Sequence, residues 1–164
     1  MLLESMISIS MIIIGLLGII TLLIRSSQWN RGANESMVAT YLAAEGIEVV
    51  KNLIDTNVSK RLSSDPSSVW NKGLGDGEYE LAYATTLDSL RTYGSGRTLV
   101  FDSGSLTYGY EGSPATPYKR MVKVTSLDRD RIYVKSTVRW GVLGEKKAEV
   151  EDMFTNWRKE GGEE

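Results

Sequence analysis

The chain contains no cysteine and no histidine. Disulfides, thiolate zinc sites, thiol nucleophiles, histidine metal ligands and histidine general bases are all excluded at once. Catalysis is left to carboxylate pairs or to serine with lysine. No phosphate loop, nucleophile elbow or paired-carboxylate constellation on one element is present, so no enzyme activity and no cofactor are expected. Proline is scarce, with 3 residues, and the first is Pro66, so a helix can run unbroken from the start of the chain. Basic residues are missing from the first twenty-four positions, since Arg25 is the earliest. The net charge over 164 residues is −2, and Glu4 is the one acid ahead of Arg25. The remainder is therefore close to neutral, which gives no footprint for strong nucleic-acid binding, although a local basic patch stays open.

What the first segment does have is apolar surface. In MLLESMISISMIIIGLLGIITLLIRS, Glu4 stands ahead of Ser5–Ile24, which carries no formal charge. About 20 residues at ~1.5 Å each suffice to cross a bilayer as a helix. A secretory signal fits poorly, because a basic leading region and a small-residue cleavage site are both missing. A plain membrane anchor remains an alternative. Arg25 and Arg31 follow the span and would be cytoplasmic by positive-inside counting, which places the rest of the chain inside the cell. A basic leader removed from the front reverses that orientation, and one is expected.

Gly15 and Gly18 interrupt the span. Each costs helix up to ~1 kcal/mol relative to alanine. They mark either a place where the helix stretches or melts outside lipid, or close packing of small residues between helices. Ser8, Ser10 and Thr21 are placed to return hydroxyl bonds to carbonyls one turn back.

Residues 36–54, SMVATYLAAEGIEVVKNLI, carry Val38, Leu42, Val49 and Leu53 at helical steps, with Tyr41, Val50 and Ile54 beside them. Glu35, Glu45, Glu48, Lys51 and Asp55 take the opposite side as surface charges. One helix is predicted from near residue 2 to about residue 61, roughly 90 Å if straight, with Gly32 and Gly46 as soft points. A domain of about a hundred residues covers only half of such a helix. The period then changes to two: strands are predicted at 97–102, 119–126, 131–140 and 147–154, the last three joined by short turns as a meander. The fold expected is α+β, a long N-terminal helix whose amphipathic half lies on a C-terminal antiparallel sheet. Its segments are 1–24 (apolar), 25–62 (amphipathic helix) and 63–164 (globular head).

GDGE at 75–78 and DSGS at 102–105 set oxygen ligands near glycine, but neither has the spacing of a calcium loop, and turns explain them better; no metal site is expected. Tyr108, Tyr110 and Tyr118 in SLTYGYEGSPATPYKR are candidates for a surface that binds other surfaces or glycans. Packing on the sheet is the plainer alternative.

An acid at the start of a transmembrane segment, a long proline-poor helix and a C-terminal antiparallel sheet together resemble type IV pilins and pilin-like subunits of bacterial filaments. LLES at 2–5 with the apolar run behind it, and YLAAEGIEVVKNLID at 41–55, carry the resemblance. Tyr118–Lys119–Arg120, Val138–Arg139–Trp140 and Thr155–Asn156–Trp157–Arg158 extend it; residues 63–117 are unmatched. The resemblance implies a structural subunit that waits in the inner membrane and polymerises through its N-terminal helix. The product is an extracellular pilus for twitching motility, adhesion or DNA uptake. A minor pilin, a secretion-system pseudopilin and a single-pass anchored binding protein are the alternatives. Its implied partners are further copies of itself, a prepilin peptidase and the assembly machinery. It also implies that Glu4 pairs with the α-amine of a neighbouring subunit, with Met1 as the candidate for the first residue, which in the family is often methylated; a glutamate reaching to the membrane edge is the plainer alternative. The family's glutamate stands fifth after cleavage, whereas here it is fourth, and the family's common C-terminal disulfide is absent.

Overall fold

The computed structural model describes residues 2–65, 67–94, 96–142 and 144–157. The fold is α+β: one helix, α1 (Leu2–Ser63), followed by a seven-stranded antiparallel sheet. Strands are β1 (Gly77–Glu80), β2 (Arg91–Thr92), β3 (Thr98–Asp102), β4 (Thr107–Gly109), β5 (Ala115–Ser126), β6 (Arg131–Trp140) and β7 (Lys146–Thr155). A single 3₁₀ turn, Leu87–Ser89, precedes β2. Contacts divide the chain into two units, Met1–Met37 and Val38–Glu164, so the division falls inside the segment 25–62 expected as one piece.

In the first unit α1 has no cover of its own. Every described side chain from Leu3 to Ile24 is exposed. In the second unit the same helix becomes amphipathic. Ile47, Val49, Val50, Leu53 and Ile54 pack with Trp70, Leu74, Leu81, Val122, Val124, Ile132 and Val134. Ala39, Leu42 and Ala43 form a second cluster with Leu99, Tyr118, Val138 and Trp140. The helix ends where the amides of Ser64 and Asp65 both bond to the Lys60 carbonyl, just ahead of Pro66, which disfavours helix in the residue before it.

The inward phase of the central strands is Val122 and Val124 on β5 and Ile132, Val134, Ser136 and Val138 on β6, all buried. That alternation fixes the register Val122↔Ser136 and Val124↔Val134, because a slip of one residue would turn every apolar side chain to water. On β7, Ala148, Val150 and Phe154 hold the same phase and are half-buried.

Strand β5 organises the sheet. One edge pairs with β6 over Lys119–Ser126. The other edge is shared end to end: β1 pairs with Val122–Val124, and β3 with Lys119 and Ala115. β1–β2 and β3–β4 are thus two short arms meeting at a seam near Arg120.

Three expectations change in the structure. Tyr41 is exposed rather than part of the buried stripe; the smaller Ala39, Ala43 and Ile47 occupy the interface, where the helix backbone comes close to the sheet. Glu45 is not a solvated charge, because it reaches Arg120, with Oε2 3.4 Å from Nη1. Gly46 is a contact point, not a soft point: a Cβ there would collide with Ser136 Oγ and crowd Arg120 Cδ, whereas Gly32 has open space around it.

Gly46→Ala gains helix propensity yet overpacks this interface, so a net destabilisation of about 1–3 kcal/mol is expected. Denaturant unfolding of the full chain in detergent checks this: Gly46→Ala unfolds earlier, Gly32→Ala does not, and Ser136→Gly in the Gly46→Ala background recovers part of the loss.

Candidate functional sites: the apolar helix and the seam of the sheet

Within Met1–Met37, the helix is long and apolar enough to cross a membrane. Its polar side chains are folded back on its own backbone. Ser8 Oγ donates to the Glu4 carbonyl at 2.9 Å, Ser10 Oγ to Met6 at 2.8 Å and Thr21 Oγ1 to Leu17 at 2.8 Å. The three hydroxyls anticipated to bond one turn back do so, which removes their polarity from the outer surface. Glu4 is the acid of the first turn, where the helix dipole favours a carboxylate. Apart from the local helix backbone, no described atom comes within 4 Å of where a Cβ would stand at Gly15 or Gly18, so the helix surface there is bare. Met1, the candidate partner position for Glu4, lies outside the described residues.

The second region is built at the seam between β1 and β3. Tyr79 sits opposite Val122 and takes the core phase, so Glu80 takes the other. Glu80 is nonetheless buried, at 6 % exposure. Arg97, just ahead of β3, closes over it: Nε donates to Glu80 Oε2 at 2.9 Å and the Arg97 backbone N–H to Oε1 at 3.4 Å. The guanidinium lies over the Tyr110 ring, 4.6 Å from its centroid. From the core side Arg120, fully buried, donates through Nε and Nη2 to the Leu81 carbonyl and through Nη1 to the Leu42 carbonyl of α1.

Tyr108 and Tyr110 are brought together here, half-buried, on the wall of an open cleft of about 360 Å³ that also takes in Glu80, Tyr83, Arg91 and Arg97. Tyr108 is tilted against Phe101, ring centroids 5.0 Å apart. Tyr110 donates to the Arg120 carbonyl at 3.4 Å. Burial pushes its phenol up to about 12, with the Glu80 carboxylate adding to the rise and the two arginines opposing it. Tyr118 does not join them. It is 7 % exposed, packed against Trp140, because its position on β5 turns it into the second core cluster; it is not a surface-binding residue. The turn acids serve their turns: Asp102 accepts from the Gly104 amide and the Ser105 hydroxyl, which hold its carboxyl below the usual range. Asp76 accepts from the Ser126 amide, and GDGE runs into β1 rather than remaining a turn.

Glu80, Arg97 and Tyr83 were not singled out by sequence. Glu80 and Tyr83 lie in a stretch where no period stands out, Arg97 opens the strand expected at 97–102, and only the pairing of two arms on one edge of β5 assembles them. Arg120 did carry a signal, since it shares the inward phase of Val122 and Val124.

No protein-family model, no curated protein and no solved structure matches this chain.

Tyr110 gives a direct test of the seam. A phenol whose folded pKa is raised binds its proton more tightly in the folded state, so its contribution to stability is intact below about pH 10 and is lost as pH rises toward 12. Absorbance titration should show a late phenolate step near pH 12 that disappears in Tyr110→Phe. That variant should also lose less stability than the parent between pH 10 and 12.

Proposed function

We propose that this protein is a pilin-like structural subunit that is held in a membrane by its N-terminal helix and polymerises through that helix into a filament. The observation that carries this reading is the contrast along α1. After Val38 the helix is covered by its own sheet, while among the described residues the apolar stretch Leu3–Ile24 is exposed throughout and bears an acid in its first turn. Lipid tails satisfy such a surface before assembly, and neighbouring helices satisfy it equally well afterwards. Little hydrophobic energy separates the two states, so an outside machine drives the exchange.

Glu4 supplies the direction. A carboxylate in a dry helix bundle costs several kcal/mol unless it meets a positive partner. The α-amine of a neighbouring subunit is the partner that fits the resemblance to type IV pilins, and one charged pair per subunit sets axial register, as a single buried polar residue does in a coiled coil. In a simple anchor Glu4 would serve only as a first-turn acid at the membrane edge, with no part in assembly.

The test is Glu4→Ala in the cell that makes the protein. The variant should remain in the membrane fraction at the parental level while sheared filament yield falls at least tenfold. Parental filament yield from Glu4→Ala would remove the basis of the proposal.

A further inference from the structure

We propose that the cleft at the seam of the sheet is a binding site for a neutral carbohydrate. This does not rest on the filament reading, because every residue it uses lies within Val38–Glu164.

The first reason is the ion pair that frames the cleft. A buried carboxylate paired with arginine contributes little to stability once desolvation is counted, and apolar residues of the same volume often do as well. What the pair does here is hold Arg97. Its Nε and backbone N–H are fixed by Glu80 and its flat face by the Tyr110 ring. Among the described residues the two Nη groups of Arg97 make no hydrogen bond. They form a preoriented fork of donors in a cavity of about 360 Å³, within the size range of small-ligand sites.

The second reason is the wall chemistry. Tyr83 is 66 % exposed on the cleft and Tyr108 is half-buried beside it, while Tyr110, engaged by Arg97 and the Arg120 carbonyl, backs the arginine. Aromatic faces stack on the C–H faces of a sugar ring, and phenols both donate to and accept from its hydroxyls. Amphipathic rings around a small set of fixed donors and acceptors suit a ligand that is apolar on its faces and hydroxylated at its edge.

The third reason is charge. The lining carboxylates are Glu80, Asp102 and Glu111, and the lining cations are Arg91 and Arg97. The Arg97 charge is already offset by Glu80 at 2.9 Å. What remains is Arg91 against two acids, so the cleft disfavours an anionic ligand. Its open donors favour hydroxyl oxygens.

The experiment uses the full chain in a detergent without a sugar headgroup. The probes are immobilised neutral saccharides ending in glucose, galactose or N-acetylglucosamine, each beside a uronate-bearing counterpart. Saturable binding to at least one neutral saccharide is expected, stronger than to its uronate form. Tyr83→Ala and Arg97→Lys should each weaken it at least tenfold. Tyr83 is exposed, so its variant should keep the parental unfolding midpoint, and Tyr41→Ala, outside the cleft, should bind as the parent does. Absence of saturable binding to all the neutral saccharides, preference for the uronates, or parental binding by Tyr83→Ala would each overturn the assignment.

Discussion

The globular unit depends on how the shared edge of β5 is closed. Two strands, β1 and β3, meet end to end along it, which leaves a gap between two arms, with the Leu81 carbonyl just past the end of β1. Buried carbonyls left unpaired cost about 1–3 kcal/mol each. Arg120 answers this from the core side with three donors, two to Leu81 and one to Leu42 of the helix, so a single fully buried side chain ties both helix and arm to the central strand. Glu45 tempers its charge. Close approach of helix to sheet requires Gly46 one residue on, opposite Ser136. Glu80 and Arg97 close the same seam at the cleft. A joint made of directional bonds rather than apolar contact alone has one geometry, and the absence of any disulfide makes that specificity fall to packing and hydrogen bonds.

Along the helix the governing constraint is different. Residues 3–24 follow the rule of a membrane segment: apolar on all sides, hydroxyls bonded inward, no lysine or arginine. From Val38 onward the same helix follows the rule of a soluble core element, with one buried stripe. One unbroken helix thus carries two kinds of surface, apolar all round in its first part and apolar along one stripe in its second. No proline interrupts either half, since the first in the chain is Pro66.

Much of this was legible in the residues. The helix was expected from near residue 2 to about 61 and spans Leu2–Ser63, because no proline interrupts it and the stripe from Val38 to Ile54 is regular. The strands from β5 to β7 lie within a few residues of their expected bounds, since Ile132, Val134 and Val138 alternate cleanly with Tyr133, Lys135 and Arg139. What sequence did not disclose lies in residues 63–117. Strands of two to four residues, such as β1, β2 and β4, are too short to show a period, and they are defined by their partners rather than by their own pattern. The cleft shares that fate, because Glu80, Arg97 and Tyr110 meet only through the seam. Tyr41 departs from the expected stripe because an aromatic beside it is buried or exposed by a shift of one position, which periodicity does not resolve, while Tyr118 takes the plainer of its two readings and packs on the sheet.

In the filament proposed here, the apolar half of α1 finds its final cover in other copies of the chain. The most direct measurement is electron microscopy of material sheared from the surface of cells that make it, with the chain identified by mass spectrometry and by a specific antibody. Thin filaments labelled by the antibody, with the chain built into them as a subunit, are expected. Finding the chain confined to the membrane as a monomer or dimer, with the sheared fraction free of it, would contradict the account.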